Sequence, residues 1–393
     1  MNVRTHMDSP SPATALDEDR LAWLALVLSP GLGPKRILDA MAQLDAPSQL
    51  FALPLTGLEA LRFPAPAAQF IFDGKARAAA ETEWMRVAAH GATLLTRGCS
   101  GYPERLKEIY DPPPVLWVRG DPGLLTRPAI AVVGTRHPSP YGSGMAEMLA
   151  RDLAARRLLI VSGMARGIDS CAHRGALAAR MPTLAVWGTG IDAVYPKENK
   201  KLAEEILALG GAIVSELPSD TFPAPQNFPR RNRILSGLCI AVLVVEAAEN
   251  SGTRVTARCA AEQSCDLFAV PGNATSKASW TPNTLIKQGA KLTATWEDVW
   301  EELPSQVRLE LESPGGQESK ADVPASLLPD PVLRPEEAAV LRILPADASL
   351  QIDEILELLE TQLTSSEVFT AIFELEMAGR IRSLPGKNYV RTM

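Results

Sequence analysis

Cysteine is scarce and scattered in this chain. Cys99, Cys171, Cys239, Cys259 and Cys265 are an odd number and form no C-x-x-C pair. That pattern argues against a disulfide framework or a zinc site, and for a reducing, cytoplasmic setting. The four histidines supply no H-E-x-x-H, and no Asp/Glu/His group sits at ligand spacing, so neither a metal nor a cofactor is expected. The phosphate loop G-x-x-x-x-G-K-[ST] is also missing, which leaves ATP hydrolysis without support. Long apolar runs are absent too: the early one at residues 21–28 is too short to span a bilayer. It follows Asp17, Glu18 and Asp19 rather than a basic segment, so it does not read as a signal peptide, and no membrane association is expected.

What the chain does have is a strand, a glycine turn and a helix in quick succession. The apolar run 129–133 stops at Gly134, and a helical pattern follows from Ser143-Gly144 with Met145, Met148, Leu149 and Leu153 on one face. Residues 158–169 repeat the device. Such units present backbone N–H groups and a helix start to an anion. A dinucleotide is disfavoured: that fingerprint needs G-x-G-x-x-G and a later acid, whereas Thr135 and Arg136 follow Gly134 and the next strand ends in Ser162-Gly163. An arginine at that point suits a solvated phosphodiester, with an ion pair on the rim as the equally weighted alternative.

Alternating apolar runs and helical patterns continue to about residue 300, which predicts a doubly wound, mostly parallel α/β sheet with its function at the strand C-termini. The expected plan is a disordered leader (1–18), a small helical domain (19–95), the α/β core (96–304), a linker (305–333) and a winged-helix-like tail (334–393). Within the helical domain, residues 29–36 read as a tight turn between two helices, with a plain connector favoured over a phosphate-binding turn of the helix-hairpin-helix kind. The net charge of −7 divides unevenly: residues 128–300 hold 18 bases against 15 acids, and residues 301–393 hold 8 against 17. The middle can therefore meet phosphates although the whole chain is acidic.

Cations recur after successive strands: Arg136; Arg166; Lys197, Lys200 and Lys201; Arg230, Arg231 and Arg233; Arg254. With Tyr195 and Phe228 nearby, they combine a phosphate clamp with surfaces for base stacking. The competing reading pairs some of these arginines with Glu216, Asp169 or Glu246. Asp169 reads as a cap for the helix starting at Ser170, and His173 as its partner one turn on. Cys171 reads as packing.

Several motifs resemble the DNA processing protein A (DprA/Smf) family. They are V-G-T-R at 133–136, S-G-M-A-R-G-I-D at 162–169, Y-P-K-E-N at 195–199, F-P-R-R-N-R at 228–233, V-E-A at 245–247, P-G at 271–272 and L-I…G-A at 285–290. The resemblance implies an extended Rossmann-like core that binds single-stranded DNA without enzymatic activity. It also implies homodimers through that core and loading of RecA onto incoming strands during natural transformation. Carried over by position, the candidate contact residues are Gly134, Thr135, Arg136, Gly163, Arg166, Lys197, Asn199, Lys200, Phe228, Arg230, Arg231, Asn232 and Arg233. The chain departs from the family at Ser279 to Pro282 and at Ser251 to Thr256. A rival function, cleavage of nucleoside monophosphates by a related fold, calls for a P-G-G-x-G-T loop that is missing here. The presumed recognition helix of the tail carries Glu367, Glu374 and Glu376 with no cation before Arg380, which favours a protein or self contact over DNA, with a backbone contact through Arg382, Lys387 and Arg391 of the hairpin as the alternative.

Overall fold

Asp17 starts the first helix by accepting the backbone N–H groups of Asp19 and Arg20 at 3.1 and 3.3 Å. The helix runs Glu18–Leu28 and buries its apolar run, so the leader expected over 1–18 gives way at Asp17. The computed structural model describes residues 17–313, 334–345, 349–378, 380–384 and 386–391; the rest of the expected leader and most of the expected linker lie outside them. Two compact units result.

The first unit holds helices Glu18–Leu28, Pro34–Met41, Leu55–Ala60, Ala65–Phe72 and Lys75–Ala89. They are followed by the antiparallel pair β1 (Ala92–Thr96) and β2 (Val115–Gly120). The turn expected at 29–36 does separate the first two helices, with Gly31 at φ +75°. Buried Glu83 ties this unit together by accepting from Trp117 Nε1 and the Ser219 N–H, both at 2.8 Å.

The second unit carries the parallel sheet. Its strands are β3 (Ala129–Val133), β4 (Leu159–Ser162), β5 (Thr183–Val186), the first half of β6 (Ala212–Ser215), β7 (Ala241–Val244), β8 (Asp266–Ala269) and β9 (Lys291–Leu292). Pairing runs β5–β4–β3–β7–β8–β9, every pair parallel. Strands β3, β4, β5 and β7 are buried along their whole length, which is why their sequences are unbroken apolar runs rather than alternating ones. Met145, Leu149 and Leu153 of helix Pro140–Ala155 pack on Ile130, Val132 and Ile160 in one core. After β3 the chain moves to β4 on one side, and β7 later joins β3 on the other. Such a reversal opens a crevice at the strand C-termini.

Two boundaries differ from expectation. Helix Pro140–Ala155 begins three residues before Ser143, because the Ser139 hydroxyl caps the Gly142 N–H at 3.1 Å and Pro140 fits the first helical position. The expected linker opens with helix Ser305–Glu312, whose Leu311 is buried in the core with Val307 against it.

The tail has the winged-helix arrangement: helices Pro335–Ile343, Ile352–Leu359 and Ser365–Met377, with β10 (Leu350–Gln351), β11 (Ile381–Leu384) and β12 (Asn388–Arg391) in the order β10–β12–β11. Val340, Ile355, Leu359, Val368, Ile372 and Leu375 form its own core.

Candidate nucleic-acid interface

The crevice at the switch point is built from the loops that leave β3 and β7. Gly134 ends β3 where a Cβ would lie 2.6 Å from the Ile168 side chain and 2.8 Å from the Glu246 carbonyl, so only glycine fits. The next residues are fixed on several sides. Thr135 N–H donates to the Glu246 carbonyl at 2.6 Å, and the Thr135 carbonyl accepts from Ile168 N–H at 3.1 Å. Thr253 Oγ1 donates to the Gly134 carbonyl at 3.1 Å. The buried Glu246 carboxylate accepts from both the backbone N–H and the hydroxyl of Ser139, at 2.8 and 2.6 Å.

This clamped loop projects Arg136 outward, with its guanidinium 5.7 Å from the centre of the Phe228 ring. Phe228 in turn lies 5.5 Å from Tyr195, the rings tilted at 37°. Gly188 lets Phe228 approach: a Cβ there would stand 2.9 Å from the ring. Together with Ala165, Pro223, Asn232, Ser251 and Gly252, these residues line a cleft of about 780 Å³. A cation above an aromatic pair beside open backbone provides for a phosphate and a stacked base at once.

The floor is a buried charge system. Asp169 accepts from the Gly163 and Ala165 N–H groups at 3.2 and 3.3 Å. Burial pushes its carboxyl up from the ordinary value, against the pull of the Arg231 guanidinium and those two N–H groups. Arg231 Nη1 donates to the Val186 carbonyl at 2.7 Å, and burial brings this guanidinium down to about 10. Gly163 makes the room, because a Cβ would fall 1.8 Å from Nη1.

Three expectations are corrected here. Asp169 lies inside helix Ile168–Ala178 and fastens the preceding loop instead of capping the helix. His173 does not pair with Asp169: its Nδ1 meets Thr183 Oγ1 at 2.8 Å. Arg254 neither joins the cleft nor forms an ion pair among the described residues. It donates to the Glu249 carbonyl at 3.0 Å and lies over Trp280 at 5.3 Å, in the region that departs from the family.

The other named residues separate into groups. Gly134, Thr135, Arg136, Phe228, Arg231 and Asn232 line the cleft. Gly163 lies beneath Arg231. Asn199 is buried, its amide donating to the Met164 carbonyl and Ser170 Oγ at 2.8 and 2.9 Å, which makes it a support for the loop. Arg233 is buried as well and does not line the cleft. Arg166 is exposed and ion-paired with Glu198, while Lys197, Lys200 and Arg230 are exposed outside the lining. The sequence reading missed Glu246 as the residue that sets the loop. Its signal is a lone acid directly after an unbroken apolar strand.

A family profile described as DNA recombination-mediator protein A matches residues 93–304, and one described as DprA winged helix domain matches residues 324–387. The chain belongs to the DNA recombination-mediator protein A family. Protein Smf of Escherichia coli is 40% identical over 308 residues, covering 78% of this chain and 79% of that protein. The DNA processing protein DprA of Bacillus subtilis is 42% identical over 206 residues, 52% of this chain and 69% of the relative. The crystal structure of DprA from Streptococcus pneumoniae superposes with a TM-score of 0.63 at 32% identity, covering 74% of this chain and 99% of that one. The DprA resemblance therefore extends from the core motifs to the winged-helix tail. Among the described residues no helix is long and apolar enough to cross a membrane.

Proposed function

We propose that this DNA-processing family member binds single-stranded DNA along the switch-point cleft and acts as a recombination mediator. In this reading it protects incoming strands in the cytoplasm during natural transformation, pairs with a second copy through the core, and hands DNA to RecA. The observation that carries it is Arg136, held by a clamped loop over Phe228, which itself packs on Tyr195, in an open cleft. A guanidinium takes a phosphate, and rings that present no fixed hydrogen-bond pattern stack any base, so binding is tolerant of sequence.

The test is a titration of labelled oligo-dT at several salt concentrations. Arg136→Ala is expected to weaken binding roughly tenfold and to lower the salt slope by about 0.7, the share of one single-strand phosphate. Phe228→Ala is expected to cost about 1–3 kcal/mol of affinity with little change in that slope. Unchanged affinity in Arg136→Ala, with its fold intact by circular dichroism, would remove the cleft from consideration. Release of free base from a nucleoside monophosphate would point instead to the rival nucleotide enzyme.

A further inference from the structure

The winged-helix tail divides its charge between two surfaces. Helices Ile352–Leu359 and Ser365–Met377 carry six carboxylates and no lysine or arginine. The stretch from Arg380 to Arg391, which contains the β11–β12 hairpin, carries Arg380, Arg382, Lys387 and Arg391 and no acid. Arg382 and Arg391, on neighbouring positions of the hairpin, stand beside helix Pro140–Ala155 of the core. With Arg151, Ser143, Glu147 and Pro138 they line a hollow of about 330 Å³.

Arg382 and Arg391 form no ion pair among the described residues, and Arg151 is paired with Asp152 at 2.9 Å. Glu147 is the one carboxylate in the lining. The hollow also shares a wall with the cleft: Gly134 to His137 line one, and Pro138 and Pro140 line the other. Pro138 follows Arg136 by two residues, so along an extended chain the two lie within roughly 7 Å.

We infer that this hollow is a second phosphate-binding site, in which the hairpin arginines Arg382 and Arg391 hold the backbone of single-stranded DNA leaving the Arg136 cleft. The inference rests on the cleft reading above. It makes the hairpin, and not the helix that precedes it, the nucleic-acid element of the tail. Guanidiniums that lack a carboxylate partner gain most from a phosphodiester, and contacts of this kind read charge rather than sequence.

The experiment compares two oligo-dT lengths on the full chain, about 6 and about 30 nucleotides, across a salt series. For the Arg382→Ala/Arg391→Ala variant, affinity for the longer strand is expected to fall roughly tenfold and its salt slope by about 1.4, two phosphates' share. Affinity for the shorter strand stays at the wild-type value. Arg382→Lys/Arg391→Lys, which keeps both charges, restores most of the loss. Unchanged long-strand affinity, an equal loss at both lengths, or failure of the lysine variant to rescue would each overturn the inference. Arg136→Ala separates the two ideas. It lowers both lengths if the cleft is the primary site. If it lowers neither while the hairpin variant still weakens the long strand, the cleft reading fails and the hollow stands by itself.

Discussion

Arg231→Met is expected to lower the free energy of unfolding by about 3 kcal/mol or more, read by urea denaturation at neutral pH. Arg231 is only 5% exposed and makes two contributions under the cleft floor: it donates to the Val186 carbonyl at 2.7 Å and pulls electrostatically on buried Asp169. Methionine fills much of the same volume but leaves the carbonyl without its donor and the carboxylate without its cation. A buried charge that loses its compensation is among the costliest single changes a fold meets. The pairing is tested by adding Asp169→Asn to Arg231→Met, which removes the stranded charge and is expected to recover about 1–2 kcal/mol. Purely additive losses would show that Asp169 and Arg231 do not act on each other.

The second large effect is acid lability at His173. The Thr183 hydroxyl donates its single proton to the Ile160 carbonyl at 2.7 Å, so it must accept from His173 Nδ1–H at 2.8 Å. That fixes the neutral tautomer and leaves Nε2 buried and without a hydrogen-bond partner among the described residues. Burial, reinforced by the positive charge of Arg231, brings the imidazole down to about 3 from the model-compound value of 6.5. The unfolded chain takes up a proton below 6.5 that the folded chain refuses until about 3. This contribution to stability is therefore fully present above 6.5 and drains away as pH falls through that window. Between pH 6.5 and 4.5 the loss from this residue is roughly 2 kcal/mol, short of the full 1.36 kcal/mol per unit because the unfolded imidazole is only half protonated at 6.5. Over that range the free energy of unfolding in urea should fall by this much more for the wild type than for His173→Gln. Parallel slopes would mean that the imidazole is not held neutral.

The strands of the sheet could be read directly because strands buried on both faces leave no polar positions to obscure the run. The cleft could also be placed: glycine stops after apolar runs mark strand C-termini, and Arg136 and Phe228 fall on those ends. The direction of each cation within a cluster was less legible. Arg230, Arg231, Asn232 and Arg233 are consecutive, yet Arg230 is exposed while Arg231 and Arg233 are buried. What lets Arg231 go inward is a carbonyl 45 residues earlier and an acid in another helix, and no local pattern records such partners. Asn199 behaves likewise, since its amide answers Met164 and Ser170 across 35 and 29 residues. Glu246 was visible as an acid at the sheet edge, but its work on Ser139 depends on β3 and β7 being neighbours, a fact of topology.

Helix Ser365–Met377 occupies the position from which a winged helix ordinarily enters the major groove. Here its exposed side presents Phe369 and Phe373, its Glu367 closes the capping box with Thr364, and its Glu374 reaches Arg334 at 3.5 Å. An intact double helix approaching that side would meet phenyl rings and the carboxylates of Glu367, Glu374 and Glu376, with Arg334 on Glu374 as the cation paired there. On the function proposed above, this face discourages duplexes and leaves the protein's cationic surfaces to strands already separated.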